Sequence, residues 1–213
     1  MINTQNQLKD PETTVGEALR KTINAIEGDS ITLKALLELV GEQGMLLFCT
    51  ILTIPFLVPV SIPGVSTVFG LVIILIGIGV TFNRLPWLPE RLMRREIKRE
   101  HLAPALEKGI ELFTKLERWL KPRLTSLTTG VVVNRINGAA LTFSGILLIF
   151  PFGFIPFSNT FPGYAILFFA VGMMQRDGYF IVLGYIAMII TVLYFGVLIG
   201  GVLLAGGTLI FSS

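Results

Sequence analysis

The sequence predicts an all-α integral membrane protein with two pseudo-repeated, proline-broken (re-entrant or discontinuous) membrane segments. Amphipathic helices and a long C-terminal apolar helical run complete it. Composition is the first observation behind this fold class: 53% of the residues are hydrophobic and 15% charged, where soluble domains carry about 25% charged. Mean hydropathy is +0.75. Charge placement is the second. No Asp, Glu, Lys or Arg lies between Gly44 and Asn83, and from Ser126 onward the only charges are Arg135, Arg176 and Asp177. A bilayer demands such tracts, because a charge at its centre costs about 2.5–3.5 kcal/mol on insertion scales. The third observation is an internal repeat of prolines, taken up below.

Residues 1–43 read as a polar tail followed by two short amphipathic helices. Thr14 and Glu17 have capping-box spacing, and Val15, Leu19, Ile23 and Ile26 share one helical face. Gly28-Asp29-Ser30 breaks the pattern, and Leu33, Leu36, Leu37 and Val40 form a second stripe. Such stripes pack on the rest of a protein or lie at the lipid surface. The N-terminus lacks the apolar core of a signal peptide, so no cleavage is expected.

Residues 44–83 form the first membrane segment. Pro55, Pro59 and Pro63 recur at every fourth position, with Pro63-Gly64 closing the series. Proline removes a donor and clashes with the preceding turn, so the segment cannot remain one ordinary helix. Its apex must be covered by protein or water, since lipid cannot satisfy open backbone groups. Residues 84–125 are the charged region, with eleven Lys or Arg against six Glu. The run Arg91, Arg94, Arg95, Lys98, Arg99 beside a membrane segment is the positive-inside pattern and places this stretch in the cytoplasm. Leu102, Leu106, Ile110, Phe113, Leu116 and Leu120 then trace one helical face, and Trp119 suits an interface. Residues 126–177 form the second broken segment. Residues 178–213 are the final transmembrane run, either one long tilted helix or two shorter ones. Its glycines, Gly196, Gly200, Gly201, Gly206 and Gly207, have spacing that permits close helix approach.

The two broken segments share an order of residues. The first has Ile54-Pro55-Phe56, Pro59, Ser61 and Pro63-Gly64; the second has Phe150-Pro151-Phe152, Pro156, Ser158 and Pro162-Gly163. Both return helices end in polar clusters, Asn83-Arg84 and Gln175-Arg176-Asp177. Duplicated broken helices point to a transport site and to an inverted or parallel repeat. A return helix offers free N–H groups to an anion, and the end of the preceding half-helix offers carbonyls to a cation. Ser61, Ser66 and Thr67 in one apex, with Ser158, Asn159 and Thr160 in the other, add neutral donors and acceptors. The candidate substrate-binding or pathway residues are therefore Pro59, Ser61, Pro63, Ser66, Pro156, Ser158, Asn159, Thr160, Arg176 and Asp177. The plainer account is that the prolines shape the fold and the hydroxyls cap helix ends. Arg176 and Asp177 pair at the bilayer edge or close a polar pathway.

Several classes are excluded or disfavoured. There is no GxSxG elbow, no Walker A motif, and no cluster with metal-ligand spacing, so neither an enzyme nor a cofactor or metal is expected. The single Cys49 excludes an internal disulfide and reads as a packing residue, and His101 as a solvated one. A net charge of +3 gives no case for nucleic acid. Membrane lipid, an unknown small solute or ion, and a second copy in a homodimer are the expected partners.

The stretches GDSITLKALLELVGEQG, PFLVPVSIPGVSTVFG, NRLPWLP, PFSNTFP and MMQRDG together resemble the ExoD family of bacterial exopolysaccharide-synthesis proteins. That resemblance covers nearly the whole chain after the first dozen residues. It implies a multi-pass protein of the bacterial inner membrane linked to exopolysaccharide production, and it supplies no catalytic residues. A small transporter or permease, with its site between the two proline apices, is the expected function. A non-transporting scaffold for exopolysaccharide synthesis or export is the alternative.

Overall fold

The structure is a computed structural model that describes residues 30–58, 64–84, 94, 96–98, 123–150 and 155–211. Five helices carry it: α1 (Leu33–Thr53), α2 (Val65–Phe82), α3 (Val131–Ile149), α4 (Thr160–Gln175) and α5 (Gly178–Phe211). The stripe of Val15, Leu19, Ile23 and Ile26 and the face from Leu102 to Leu120 lie outside the described residues. So do the side chains of Leu33, Leu36, Leu37 and Val40.

One small element departs from the all-α expectation. Strand β1 (Ser30–Thr32) pairs antiparallel with β2 (Glu96–Lys98), in the register Ser30 to Lys98 and Thr32 to Glu96. Ser30 Oγ donates to Glu96 Oε2 at 3.1 Å. The pairing ties the stretch before the first membrane segment to the charged region after it, which fixes both to one side of the molecule. Thr32 then caps α1, its Oγ1 accepting from the Ala35 N–H. Helix α1 is kinked at Gly41 (φ 62°, ψ −161°), a backbone conformation that favours glycine, and its second arm, from Glu42 on, enters the first apolar segment.

The helices assemble as two hairpins and a long cover. α1 and α2 form the first hairpin, α3 and α4 the second. The start of α1's second arm, the end of α2, the beginning of α3 and the end of α4 surround one cavity. That end of the bundle is the basal pole. At the opposite, apical pole Phe56 meets Phe69 edge to face with ring centroids 5.9 Å apart, and it also abuts Gly163. Both hairpins therefore point the same way, in a parallel rather than an inverted arrangement. α2 and α3 have 18 and 19 residues, so each measures about 27–29 Å, close to the roughly 30 Å of a hydrocarbon core.

Glycines decide which helices touch. α2 and α3 pack antiparallel through Gly70 and Gly77 on one and Gly138 and Gly145 on the other. A Cβ on Gly138 would lie 2.8 Å from the Thr81 backbone nitrogen, and one on Gly77 would lie 3.0 Å from that of Thr142. Small residues matter here because helices in lipid gain from close packing rather than from hydrophobic burial. α4 is apolar on all sides and sits at the centre, against α1, α3 and α5, with Ala165, Ile166, Phe169 and Ala170 fully buried. Buried hydroxyls inside these helices are satisfied locally. Thr50, Thr53 and Ser144 each donate to the carbonyl four residues earlier, the usual solution for a hydroxyl in an apolar helix.

The final apolar run is one helix of 34 residues, about 51 Å long. It starts at the basal pole, where the Gly178 N–H donates to the Arg123 carbonyl at 2.7 Å. It reaches the apical pole at Tyr194 and Phe195, against Pro156, Phe161 and Phe150. From there to Gly201 it is uncovered among the described residues: Val197 is 76% exposed, and a methyl group placed on Gly196, Gly200 or Gly201 would meet none of them within 4 Å. α3 and the part of α5 from Gly178 to Gly201 are long and apolar enough to cross a membrane, while the helices Gly41–Phe56, Ser66–Phe82 and Thr160–Gln175 are apolar but shorter.

Candidate functional site

The predicted site residues separate into two groups. Pro59, Ser61 and Pro63 lie outside the described residues. Ser66 is half-buried in the first turn of α2. Pro156, Ser158, Asn159 and Thr160 form the approach to α4 at the apical pole, with the last three buried. The Pro156 carbonyl accepts from Tyr194 Oη at 2.7 Å, which staples this apex to α5. Pro162 and Gly163 fall inside the first turn of α4, whereas Gly64 (φ 87°) is the residue before α2. The residue with positive φ ahead of α4 is Phe157 (φ 66°). Arg176 and Asp177 lie at the basal pole, a full helix length from the apical residues.

The cavity also lies at that basal pole, with a volume of about 280 Å³. Each hairpin helix brings a polar pair or its neighbour to the rim. α1 supplies Glu42 and Gln43, α2 ends at Asn83, α3 begins with Asn134 and Arg135, and α4 ends at Arg176. Asn83 and Arg176 close their helices alike, both left-handed (φ 51° and 52°). In each case the following N–H reaches back five residues: Arg84 donates to Gly79 O at 2.8 Å and Asp177 to Gly172 O at 2.9 Å. This is the Schellman closure, made twice with a non-glycine residue at its turning point.

The wall is set by hydrogen bonds. Asn134 Nδ2 donates to Glu42 Oε1 at 3.1 Å, joining α3 to α1. One turn deeper, Asn137 is buried and fully engaged: its Nδ2 donates to Leu127 O at 2.8 Å and its Oδ1 accepts from Tyr185 Oη at 3.0 Å. Thr128 Oγ1 donates to the Arg176 carbonyl at 3.2 Å, fixing the loop before α3 against the end of α4. Gln43 Oε1, on the cavity wall, is buried and accepts no hydrogen bond from the protein. Such an acceptor requires water or a ligand. The charged lining residues are Arg135, Arg176 and Glu42, two cations against one anion. Asp177 has a different task. It is buried, and its Oδ1 accepts from the Tyr179 N–H at 3.0 Å, which caps α5.

Sequence reasoning singled out Arg176 and missed Glu42, Gln43, Asn134 and Arg135. The available signal was position. All four stand at the border of an apolar tract, as Asn83 and Arg176 do, and Arg135 is one of three charges after Ser126.

Apolar side chains uncovered along the flanks, such as Val68, Phe82 and Leu193, and two helices long and apolar enough to cross a membrane fit a helical membrane protein. The chain belongs to the ExoD family: residues 15–197 match the family described as "Exopolysaccharide synthesis, ExoD". It is 51% identical to Protein ExoD of Rhizobium meliloti (strain 1021) over 189 residues, covering 89% of this chain and 79% of that protein. It is 27% identical over 152 residues to an uncharacterized protein of Synechocystis sp., covering 71% of this chain and 70% of that one. No solved structure matches.

Proposed function

We propose that this ExoD-family protein is a multi-pass inner-membrane permease of exopolysaccharide synthesis, and that its solute enters at the basal cavity. The observation that carries this reading is the convergence of four helix ends on one polar cavity holding Arg135, Arg176 and Glu42. In this reading the two hairpins are a parallel duplication, each entering and leaving on the cytoplasmic side with its apex at the outer face. The paired closures at Asn83 and Arg176 support the duplication, as does the pairing of α1 with α4 and of α2 with α3. α5 crosses beside them. Its uncovered outer part is proposed to meet a second copy in a homodimer. The same uncovered surface favours the second reading, a scaffold that transports nothing.

Uptake into sealed vesicles holding the purified protein tests the proposal. Flux of a polar solute above that of protein-free vesicles, reduced at least about tenfold by Arg135→Gln, is the expected result; tenfold corresponds to about 1.4 kcal/mol of lost interaction. Flux that is absent for ions, amino acids, sugars and sugar phosphates alike would leave the scaffold reading.

A further inference from the structure

We infer that the basal cavity takes an anionic carbohydrate, a sugar bearing a phosphate or carboxylate group. This names the solute class of the proposed permease site and rests on that reading only for what happens after binding.

Three features of the cavity converge on that chemistry. First, its charge favours an anion. Arg135 and Arg176 stand against Glu42 alone, and Arg135 makes no ion pair or hydrogen bond among the described residues. Second, α3 opens into the same space. Its N-cap is Gly130, which supplies no side-chain acceptor, and its first turn contains no acidic residue. The N–H groups of that turn and the positive end of the helix therefore add to the arginines. A cation in the second turn opposes the helix dipole, so Arg135 is poorly placed for helix stability and well placed for an anion. Third, Gln43 contributes a buried acceptor without a donor. A bare anion has no donor to offer it; a sugar hydroxyl does. Glu42, whose Oε1 already holds Asn134, is a further acceptor on the lining.

The lining thus offers an anionic group the cation Arg135 and the start of α3, and offers hydroxyl groups the acceptors Gln43 and Glu42. A volume of about 280 Å³ suits a single sugar rather than a polymer, near the low end of small-molecule pockets at roughly 300 Å³. Two sources present this chemistry, a soluble sugar phosphate and the phosphate-linked sugar of a glycosylated lipid.

Calorimetric titration of the full-length protein in nanodiscs separates the outcomes. The probes are glucose 1-phosphate, glucuronate, glucose, inorganic phosphate, and a glucose joined through phosphate to a prenyl chain. Saturable binding of a charged sugar, at least tenfold tighter than glucose and than inorganic phosphate, is expected. Arg135→Gln should weaken it at least tenfold. Gln43→Leu should weaken the sugar phosphate while leaving inorganic phosphate unchanged. Binding of glucose 1-phosphate or glucuronate assigns a soluble source; binding confined to the prenyl-linked form assigns the lipid source. Equal binding of neutral glucose, equal binding of inorganic phosphate, indifference to Arg135→Gln, or no binding of any probe overturns the inference. Binding without vesicle flux would overturn only the permease reading, and flux of an unrelated solute without charged-sugar binding only this one.

Discussion

Arg176 and Asp177 are adjacent and are two of the three charges after Ser126, yet burial gives them opposite roles. Arg176 is exposed on the cavity rim, and Asp177 is buried as a cap on α5. A cap carboxylate accepts an N–H that the helix itself cannot satisfy and complements the positive end of the dipole. Replacing Asp177 by Ala should lower stability by about 1 kcal/mol, with Asn retaining most of it. Thermal unfolding in detergent reads this directly. Equal losses for Ala and Asn would show that the carboxylate acts by charge rather than as a cap. The buried hydroxyls give the same lesson from the other side: Thr50, Thr53 and Ser144 look like pathway residues in an apolar tract and are occupied by their own helix.

Helices rather than residues explain why the bundle closes where it does. The tail glycines have the spacing of a close helix contact, but Gly196, Gly200 and Gly201 have no neighbour within 4 Å among the described residues, while Gly70, Gly77, Gly138 and Gly145 set the contact of α2 with α3. Against Gly138 the neighbour is backbone, the Thr81 nitrogen, which cannot rotate away. Gly138→Ala should therefore destabilise the protein by about 1–3 kcal/mol, the cost of overpacking. Ala139→Leu, on the exposed side of the same helix, should stay within about 0.5 kcal/mol. Unfolding titrations in mixed micelles compare the two, and a Gly138→Ala protein as stable as the wild type would refute this interface.

At the scale of the molecule, the strand pair and the two hairpins set the topology together. Ser30 and Lys98 are register partners, so they must share one side, and Phe157 is exposed at the apical pole. Cys49, the single cysteine, is fully buried, so introduced thiols can be read above a silent background. With an impermeant reagent outside intact cells, Ser30→Cys and Lys98→Cys should stay unlabelled and Phe157→Cys should react. Labelling at both Ser30 and Lys98 would reverse the orientation. In the same series, a disulfide through Val197→Cys is expected if two copies meet along α5, and a protein monomeric and uncrosslinked in native membranes would remove the homodimer.

What the sequence determined by itself follows from one-dimensional properties. Charge-free tracts mark the segments apolar enough for lipid, and proline spacing locates the two breaks between helices. The ExoD resemblance, carried by short stretches spread along the chain, was equally legible. Helix pairing was not, because contact between α2 and α3 depends on which glycines face each other across 60 or more residues. Nor was the cavity: Glu42, Asn83, Asn134 and Arg176 are each ordinary at a helix end, and only the parallel placement of two hairpins brings four such ends to one pole. The sequence marked the proline apices because a broken helix is a local event. The polar site is a relation between distant ends, and such a relation exists only once the chain has folded.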